Sequence, residues 1–287
     1  MYDKYKGSMF FVVFNVLLIF YHDTSSVLPE GNKMNNSEKL QDIAEHLLSK
    51  RKCGSGASDL PKGFTLDSIE DVLVIHKLMI KLNDETVYGW KCMLPSSNGV
   101  ITLAPLLHKP IKGTDTCLVN SENRKALIEP EIAFVLNKDL SGLKPYSNEQ
   151  IDNAIGSAHL ALELIGNRFS KKYEATQFEK LADGLSNQGV YIGPEISKEK
   201  AYESNNITLV VEQEGKKSAN VTGQHPGKLP QRPLYWAINF LSANDFKLEK
   251  NQVFITGSYN GLMEVDINLP IKIVYEGLGE INIKFET

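Results

Sequence analysis

Residues 128–136 read Ile-Glu-Pro-Glu-Ile-Ala-Phe-Val-Leu, an apolar stretch that carries two glutamates on either side of a proline. Its composition predicts a strand over 128–137. Successive strand side chains point to opposite faces, so Glu129 and Glu131 share one face, with Cα atoms about 6.5–7 Å apart. Pro130 has no N–H to donate, which predicts an edge or a bulge at this end of the strand. Two like charges on one face need a cation or a shared proton, unless the pair is a solvated strand end.

A third glutamate, Glu163, lies inside the apolar, strand-like run Ala158-His-Leu-Ala-Leu-Glu-Leu-Ile. An unpaired carboxylate would be costly in such a run, so Glu163 needs a partner. Arg168 follows five residues later, and an ion pair between these two residues is the alternative to a shared site. Two further segments, 181–193 and 254–261, place polar residues beside glycines. Taken singly, each of them predicts a turn.

The order and combination of these segments resemble the 2-keto-4-pentenoate hydratase / 4-oxalocrotonate decarboxylase branch of the fumarylacetoacetate hydrolase superfamily. The resemblance runs from about residue 38 to 285. The Glu-x-Glu motif is specific only in combination with the other motifs. The matching motifs are Glu129-Pro130-Glu131 followed by Ile-Ala-Phe, Glu163 five residues before Arg168, Gly89-Trp90-Lys91, Ala182-Asp183-Gly184, and Thr256-Gly257-Ser258 with Gly261.

This resemblance implies an α+β fold, a mixed β-sheet roll with N-terminal helices. It implies that Glu129, Glu131 and Glu163 hold one Mg2+ or Mn2+ ion through carboxylate oxygens, with water in the remaining positions. The ion would bind the carboxylate and 2-oxo groups of a small 2-oxo acid, such as 2-hydroxypenta-2,4-dienoate. It would then stabilise the enolate formed when a proton leaves the adjacent carbon.

The resemblance also implies roles for five further residues. Lys91 and Asp183 would be catalytic, and Ser258, Gly257 and Arg168 would contact the substrate. An exposed strand lysine is the alternative for Lys91. Members of the family tend to form oligomers, so a homo-oligomer is expected.

The sequence departs from the family pattern at several positions. Lys112 stands where an acidic residue is expected, and Asp115 is a candidate substitute. Gly166-Asn167 occupy the stretch that normally carries an aspartate, and Gly184 replaces an asparagine. These changes put the hydration step in doubt more than metal binding.

Two other functions therefore stay open. One is a catalytically weak, exported binding or effector protein that retains the fold. The other is a C–C bond hydrolase of the same superfamily, which needs a base to activate water. The candidate bases are His46, His76, His108, His159 and His225, although lone histidines are more often ordinary surface or core residues.

Composition excludes several classes of protein. The chain has 287 residues, is 42% hydrophobic and carries a net charge of −4. That leaves enough apolar residues for a sizeable core. Since no Lys/Arg cluster stands out, nucleic acid is not an expected partner. The three cysteines, Cys53, Cys92 and Cys117, are odd in number and lack CxxC spacing, so a complete disulfide framework is excluded.

The N-terminal region stands apart. Lys4 and Lys6 precede the apolar run Met9–Tyr21, which as a helix would measure about 20 Å, too short for a bilayer core of about 30 Å. Residues 1–30 are therefore interpreted as a signal peptide or an N-terminal extension, without a stable membrane span. The expected location is cytoplasmic, or periplasmic or secreted if residues 1–26 act as a signal peptide.

Hydrophobic periodicity predicts two helices first and mainly strands afterwards, which favours an α+β chain over a doubly wound sheet. Residues 37–98 are predicted to form an N-terminal helical and strand region, and the resemblance implies that 99–287 form a fumarylacetoacetate-hydrolase-like catalytic domain. Loops are predicted at 51–64 and 214–228. Predicted helices are 37–50, 65–82, 147–155, 171–181 and 230–244, and predicted strands are 86–93, 99–104, 128–137, 189–193, 207–213, 252–256, 263–267, 271–276 and 279–285.

Overall fold

The computed structural model describes residues 36–51, 59–61, 63–141, 144–216 and 219–287. These residues lie in one compact unit that spans Asn35–Thr287. The predicted signal peptide or extension within residues 1–30, Cys53 and most of the predicted 51–64 loop fall outside the described residues. Within the described ranges, no helix has the length and apolar character needed to cross a membrane.

Six helices occur in the described part of the chain. Their bounds are α1 Asn36–Ser49, α2 Ile69–Leu82, α3 Asn148–Asp152, α4 Gln177–Ala182, α5 Lys198–Glu203 and α6 Gln231–Ala243. The first helix buries Leu40, Ile43, Ala44 and Leu47, a spacing that lines one helical face.

The second helix begins later than the sequence predicted. Its N-cap is Ser68, whose side chain accepts a hydrogen bond from the Asp71 N–H. The predicted helix 65–82 would begin at Thr65, but the hydroxyl of Thr65 donates to the side chain of Asp67. Leu66 is buried with the helical cluster while its backbone remains outside the helix. The prediction of a helix start at Thr65 is therefore wrong.

Thirteen strands are present in the same described part. Their bounds are β1 Gly89–Cys92, β2 Leu103–Leu106, β3 Ile111–Lys112, β4 Thr116–Leu118, β5 Lys125–Leu136, β6 Ile155–Ile165, β7 Asn187–Ile196, β8 Asn206–Gln213, β9 Ala219–Gln224, β10 Val253–Ile255, β11 Met263–Asp266, β12 Pro270–Tyr275 and β13 Gly279–Glu286.

These strands form two mixed sheets. The larger sheet has the order β2-β1-β10-β5-β6-β7-β3, and β11 pairs with the start of β5. The smaller sheet has the order β4-β13-β12-β8-β9. Most pairs are antiparallel, but β1 with β10, β3 with β7 and β4 with β13 are parallel. The prediction of an α+β fold with mixed sheets and N-terminal helices is confirmed.

The two faces of the larger sheet have different surroundings. On β5, Ile128, Ile132 and Phe134 belong to the main core, which also holds residues of the smaller sheet such as Tyr275 and Phe285. The opposite face carries a smaller apolar cluster, formed by Leu106, Ala133, Ala161, Val190, Ile192, Val253 and Ile255. Strand alternation places Glu129 and Glu131 on this second face.

The sequence predicted an edge or a bulge at Pro130, near the beginning of the strand. Pro130 does lie beside an unpaired edge, but it lies within β5 and not at its end. Strand β5 continues five residues before it, and β6 pairs with it along one side. On the other side β10 pairs with residues 133–135 and β11 with residues 125–128. Pro130 lies in the gap between them, where its carbonyl oxygen accepts the N–H of Tyr259 at 3.3 Å. A missing N–H is tolerated there because no strand pairs with that edge.

Several short elements differ from the predictions. The predicted 214–228 loop contains β9, and the predicted 171–181 helix is reduced to α4, which begins after a capping box at Thr176. The strands β3 and β4 and the helix α5 were not predicted. The predicted boundary between residues 98 and 99 falls between β1 and β2, which pair with each other. That division of the chain stays a prediction.

Candidate metal centre

Two adjacent strands bring the three glutamates together. Glu129 and Glu163 are directly opposite in the antiparallel register of β5 and β6, and Glu131 is two residues further along β5. One carboxylate oxygen from each of the three lies within 4.8 Å of the others. Glu163 is 0% and Glu131 2% exposed, and Glu129 is partly buried. The predicted shared face is confirmed, and the alternative of a solvated strand end does not fit this burial.

Two donors converge on one oxygen of Glu163. The ammonium of Lys91, from β1, lies 2.7 Å from Oε1, and the side-chain amide of Asn187, at the start of β7, donates to the same oxygen at 2.9 Å. The alternative of an ion pair between Glu163 and Arg168 is wrong, because Arg168 pairs with Asp183 instead. Sequence reasoning missed Asn187, since it was interpreted only as part of a turn.

Burial and mutual repulsion govern the electrostatics of the cluster. Burial raises the pKa of Glu131 well above its usual value, and the carboxylate of Glu163 adds to the shift, while a 2.7 Å hydrogen bond from the Gly257 N–H partly opposes it. Burial and Glu163 also raise the pKa of Glu129. For Lys91, burial lowers the pKa, but the neighbouring carboxylates, Glu163 first, outweigh it and the pKa is raised.

These residues fit a hard divalent cation. Glu163 Oε2 is buried and has no hydrogen-bond partner among the residues that the structure describes. A buried polar atom of this kind is costly unless a ligand satisfies it. Three carboxylates and one ammonium carry a net formal charge of −2, which one divalent cation neutralises. All three candidate ligands are oxygens, the donors preferred by Mg2+, Mn2+ and Ca2+.

Asp183 and Arg168 engage each other. The Arg168 guanidinium donates to both carboxylate oxygens of Asp183, at 2.7 and 2.9 Å, and also to the carbonyl of Gly166. Both side chains are buried, at 1% and 8% exposure. The catalytic role of Asp183 and the substrate contact of Arg168 stay predictions, and the observed bonds indicate a bidentate ion pair.

The loop after β10 closes over the gap beside Pro130. The Ser258 hydroxyl donates to the carbonyls of Pro130 and Gly261, both at 3.2 Å. Gly257 has a φ of +121°, and a Cβ there would lie 2.7 Å from Cγ of Pro226. Glycine is therefore required for its N–H to reach Glu131. The substrate contacts predicted for Ser258 and Gly257 stay predictions.

Lys112 and its candidate substitute, Asp115, line two different surface cavities. Lys112 is exposed on β3 and lines an open cavity of about 560 Å3 together with His159 and Tyr191. Asp115 is exposed and lines a groove of about 800 Å3 on the smaller sheet. The structure therefore places Asp115 in a different surface feature from Lys112.

The five histidines predicted as candidate bases are dispersed. His46 is partly buried on α1, and His76 is buried with Nε2 bonded to the carbonyl of Leu181 at 3.0 Å. His159 bonds to the Ser157 hydroxyl at 2.9 Å. Burial lowers the pKa of His225 to about 4, and burial also lowers the pKa of His108.

Comparisons with known proteins match the sequence in part and the fold over most of the chain. No family model matches the chain. Over 165 residues it is 28% identical to the 2-oxo-hept-4-ene-1,7-dioate hydratase of Escherichia coli, covering 55% of this chain and 61% of that relative. The chain thus matches less than two thirds of that relative's length.

Two solved structures share the fold over most of the chain. They are 4-oxalocrotonate decarboxylase from Pseudomonas putida G7 with magnesium and adipate (17% identity) and the same enzyme with calcium and acetate (18% identity). Each superposes with a TM-score of 0.69 and covers 89% of this chain and 100% of the other. The chain has the fold of the fumarylacetoacetate hydrolase superfamily. In sequence and fold, it resembles proteins of the hydratase and decarboxylase branch of that superfamily.

Proposed function

We propose that the chain is a divalent-metal-dependent lyase, of the hydratase or decarboxylase type, that acts on a small 2-oxo acid. The observation that carries the proposal is the buried cluster of Glu129, Glu131 and Glu163, in which Glu163 Oε2 lacks a partner among the described residues. Its relatives support the same class, since one is named a hydratase and the other a decarboxylase, the latter with magnesium or calcium. Mg2+ or Mn2+ is the proposed cation.

The chemistry needs an electron sink beside the 2-oxo group. When bound, the divalent cation supplies Lewis acidity that favours loss of a proton or of CO2 next to the carbonyl. The chain provides three carboxylates to hold the cation, and the Gly257 N–H fixes one oxygen of Glu131. The Lys91 ammonium, with its side chain 12% exposed, holds a positive charge where negative charge develops on the substrate.

The surroundings suit a small substrate. Ala133 and Ala161 are the next residues on the glutamate face of β5 and β6, and both are fully buried and short. A 2-oxo acid offers a carboxylate oxygen and a carbonyl oxygen as a chelating pair, and 2-hydroxypenta-2,4-dienoate is the proposed first substrate to test.

The test is metal-dependent turnover. The whole chain, stripped with a chelator and reloaded with Mg2+ or Mn2+, is assayed by the loss of dienoate absorbance and, with a 2-oxo diacid, by the release of CO2. Glu131→Gln should abolish turnover, whereas Glu264→Gln, an exposed carboxylate on β11, should retain it. If the chain binds the metal but converts no 2-oxo acid, the proposal of a lyase is wrong.

A second function remains tied to a specific observation. Lys112 stands where an acidic residue is expected, and it is exposed on β3. A chain that loads metal and binds 2-oxo acids without turnover would be a binding protein that retains the fold. Calorimetric titration of pyruvate or oxalate into the metal-loaded chain tests this alternative.

A further inference from the structure

We infer that Asn187 is a positioning residue that orients Glu163 toward the divalent cation, and that Arg51 holds Asn187 in place. This inference rests on the proposed function, because it concerns the same metal centre. The observation behind it is that Glu163 Oε1 accepts two hydrogen bonds, whereas Oε2 accepts none from the described residues.

The first step concerns the carboxylate itself. Glu163 Oε1 accepts from Lys91 Nζ at 2.7 Å and from Asn187 Nδ2 at 2.9 Å, while the buried Oε2 has no partner among the described residues. Two donors on one oxygen fix the rotation of the carboxylate group. The second oxygen is thereby left for a cation.

The second step concerns the amide of Asn187. Its Nδ2 also donates to the carbonyl of Gly189 at 3.2 Å, but its Oδ1 is buried without a partner among the described residues. If this amide served only stability, both its N–H group and its oxygen would be expected to form hydrogen bonds, because an unpaired buried acceptor is costly. The useful feature of this side chain is therefore its N–H donation to Glu163.

The third step leads from Asn187 to the end of α1. The Arg51 guanidinium donates to the backbone carbonyl of Asn187 at 3.1 Å and makes a short hydrogen bond to the carbonyl of Asp183. Arg168 donates to the same Asp183 carbonyl at 2.9 Å. The turn that carries Asn187 is thus held at two carbonyls by two buried guanidinium groups.

The position of Arg51 is unfavourable by itself. Burial lowers its pKa to about 9, and the nearby charge of Arg168 contributes to the shift. Its Nε is also buried without a hydrogen-bond partner in the described part of the chain. A buried cation with an unpaired donor contributes little to the stability of the fold. This favours a positioning role for Arg51 over a purely structural one.

The experiment measures Mn2+ binding to the whole chain by calorimetry and by electron paramagnetic resonance, without reference to turnover. Asn187→Leu keeps the side chain's approximate volume and removes the donor. We expect its Mn2+ affinity to fall about 10- to 100-fold, the range seen when outer-sphere partners of metal ligands are removed. Its melting temperature in chelator should stay within a few degrees of the unmodified chain.

Gln188→Leu is the matched control. Gln188 is the next residue, and its amide bonds to the backbone of Asn120 and Ile165 rather than to Glu163. We expect this variant to bind Mn2+ within twofold of the unmodified chain. If Gln188→Leu weakens Mn2+ binding as much as Asn187→Leu does, the turn matters only as a scaffold and the inference is overturned.

Arg51→Met tests whether Arg51 acts through Asn187. We expect this variant to bind Mn2+ more weakly than the unmodified chain. The double variant with Asn187→Leu should bind Mn2+ no more weakly than Asn187→Leu alone, because both changes interrupt the same series of contacts from Arg51 through Asn187 to Glu163. Independent, multiplying losses would overturn the role given to Arg51. If Asn187→Leu does not fold, Asn187→Ala is measured against the same threshold.

The outcomes also separate this inference from the proposed function. If the unmodified chain binds no Mn2+, the metal centre itself is refuted. If it binds Mn2+ and Asn187→Leu binds equally well, within twofold, the metal centre stands and only the positioning role is refuted.

Discussion

Replacing Glu131 by glutamine should remove the stabilisation that a divalent cation gives to the folded chain, without destabilising the metal-free protein. Glutamine has nearly the same shape, and its side-chain oxygen can still accept the Gly257 N–H that Glu131 accepts at 2.7 Å. What it removes is one negative charge from a buried group of three. The metal-free and metal-loaded states should therefore respond in opposite directions.

The magnitudes follow from the geometry of the cluster. Two carboxylate oxygens within 4.8 Å of each other repel by about 3.5 kcal/mol at an effective dielectric constant of about 20. Removing the charge of Glu131 relieves part of this repulsion, so the metal-free variant should melt at or above the temperature of the unmodified chain. A cation at 100 times its Kd stabilises the folded state by about 2.7 kcal/mol. For a unit of this size, that corresponds to a rise in Tm of about 5–11 °C.

Differential scanning calorimetry in chelator and in saturating Mg2+ or Mn2+ measures both effects. The unmodified chain and Glu264→Gln should show the full rise in Tm, and Glu131→Gln should show a rise of less than about 2 °C, since weak residual binding adds little. A full metal-induced rise in Glu131→Gln would refute the placement of Glu131 in the metal centre. A large loss of stability of the metal-free variant would refute the account of repulsion.

Three further changes have defined outcomes. Gly89→Ala should destabilise the fold by about 3 kcal/mol or more in urea unfolding, because the new Cβ would lie 1.9 Å from the carbonyl oxygen of Val253 across the β1–β10 pair. In His76→Asn, the free energy of unfolding should decrease less than in the unmodified chain as the pH falls from about 6.5 to about 4. Burial lowers the pKa of His76 to about 4, so the unfolded chain takes up the proton first and about 3 kcal/mol is lost as the pH falls through that window. Lys91→Met should retain Mn2+ binding in calorimetry, since all three glutamates remain, while kcat falls about 10²- to 10³-fold.

The sequence was sufficient for the part of the site that lies on one strand. Glu129 and Glu131 are two residues apart, and strand periodicity alone puts them on the same face. Glu163 and Lys91 are distant in sequence, and their place in the site came from the resemblance to a family. The structure adds the 2.7 Å contact between them, which no local pattern encodes.

The parts that sequence reasoning missed depend on turns and on long-range pairing. Asn187 reaches Glu163 across 24 residues, and Arg51 reaches Asn187 across 136 residues. Both contacts depend on the conformation of the turn after Asp183, where the short polar stretch has no periodicity to interpret. Pro130 was placed near a strand end because the predicted strand began at residue 128, whereas β5 begins at Lys125. Its missing N–H indicates only that one edge is unpaired. The gap between β10 and β11 became visible only with the partners of β5 in place.

The positions of Lys112 and Asp115 bear on which reaction the site supports best. Removing a proton beside a 2-oxo group needs an acceptor for the proton, which solvent water can supply, and positive charge to stabilise the enolate. The three glutamates would hold the cation, and Lys91 adds a second positive charge. Adding water needs a further acid or base at the distal carbon. Lys112 is an exposed cation on β3, and Asp115 lies in a groove of the smaller sheet, so neither supplies an acid beside the glutamates. We therefore expect exchange of the C3 protons of a 2-oxo acid with D2O, followed by NMR, to run faster than hydration of the dienoate. Hydration that outpaces this exchange would contradict the argument, because it would require an acid or base beyond Lys91 at the site.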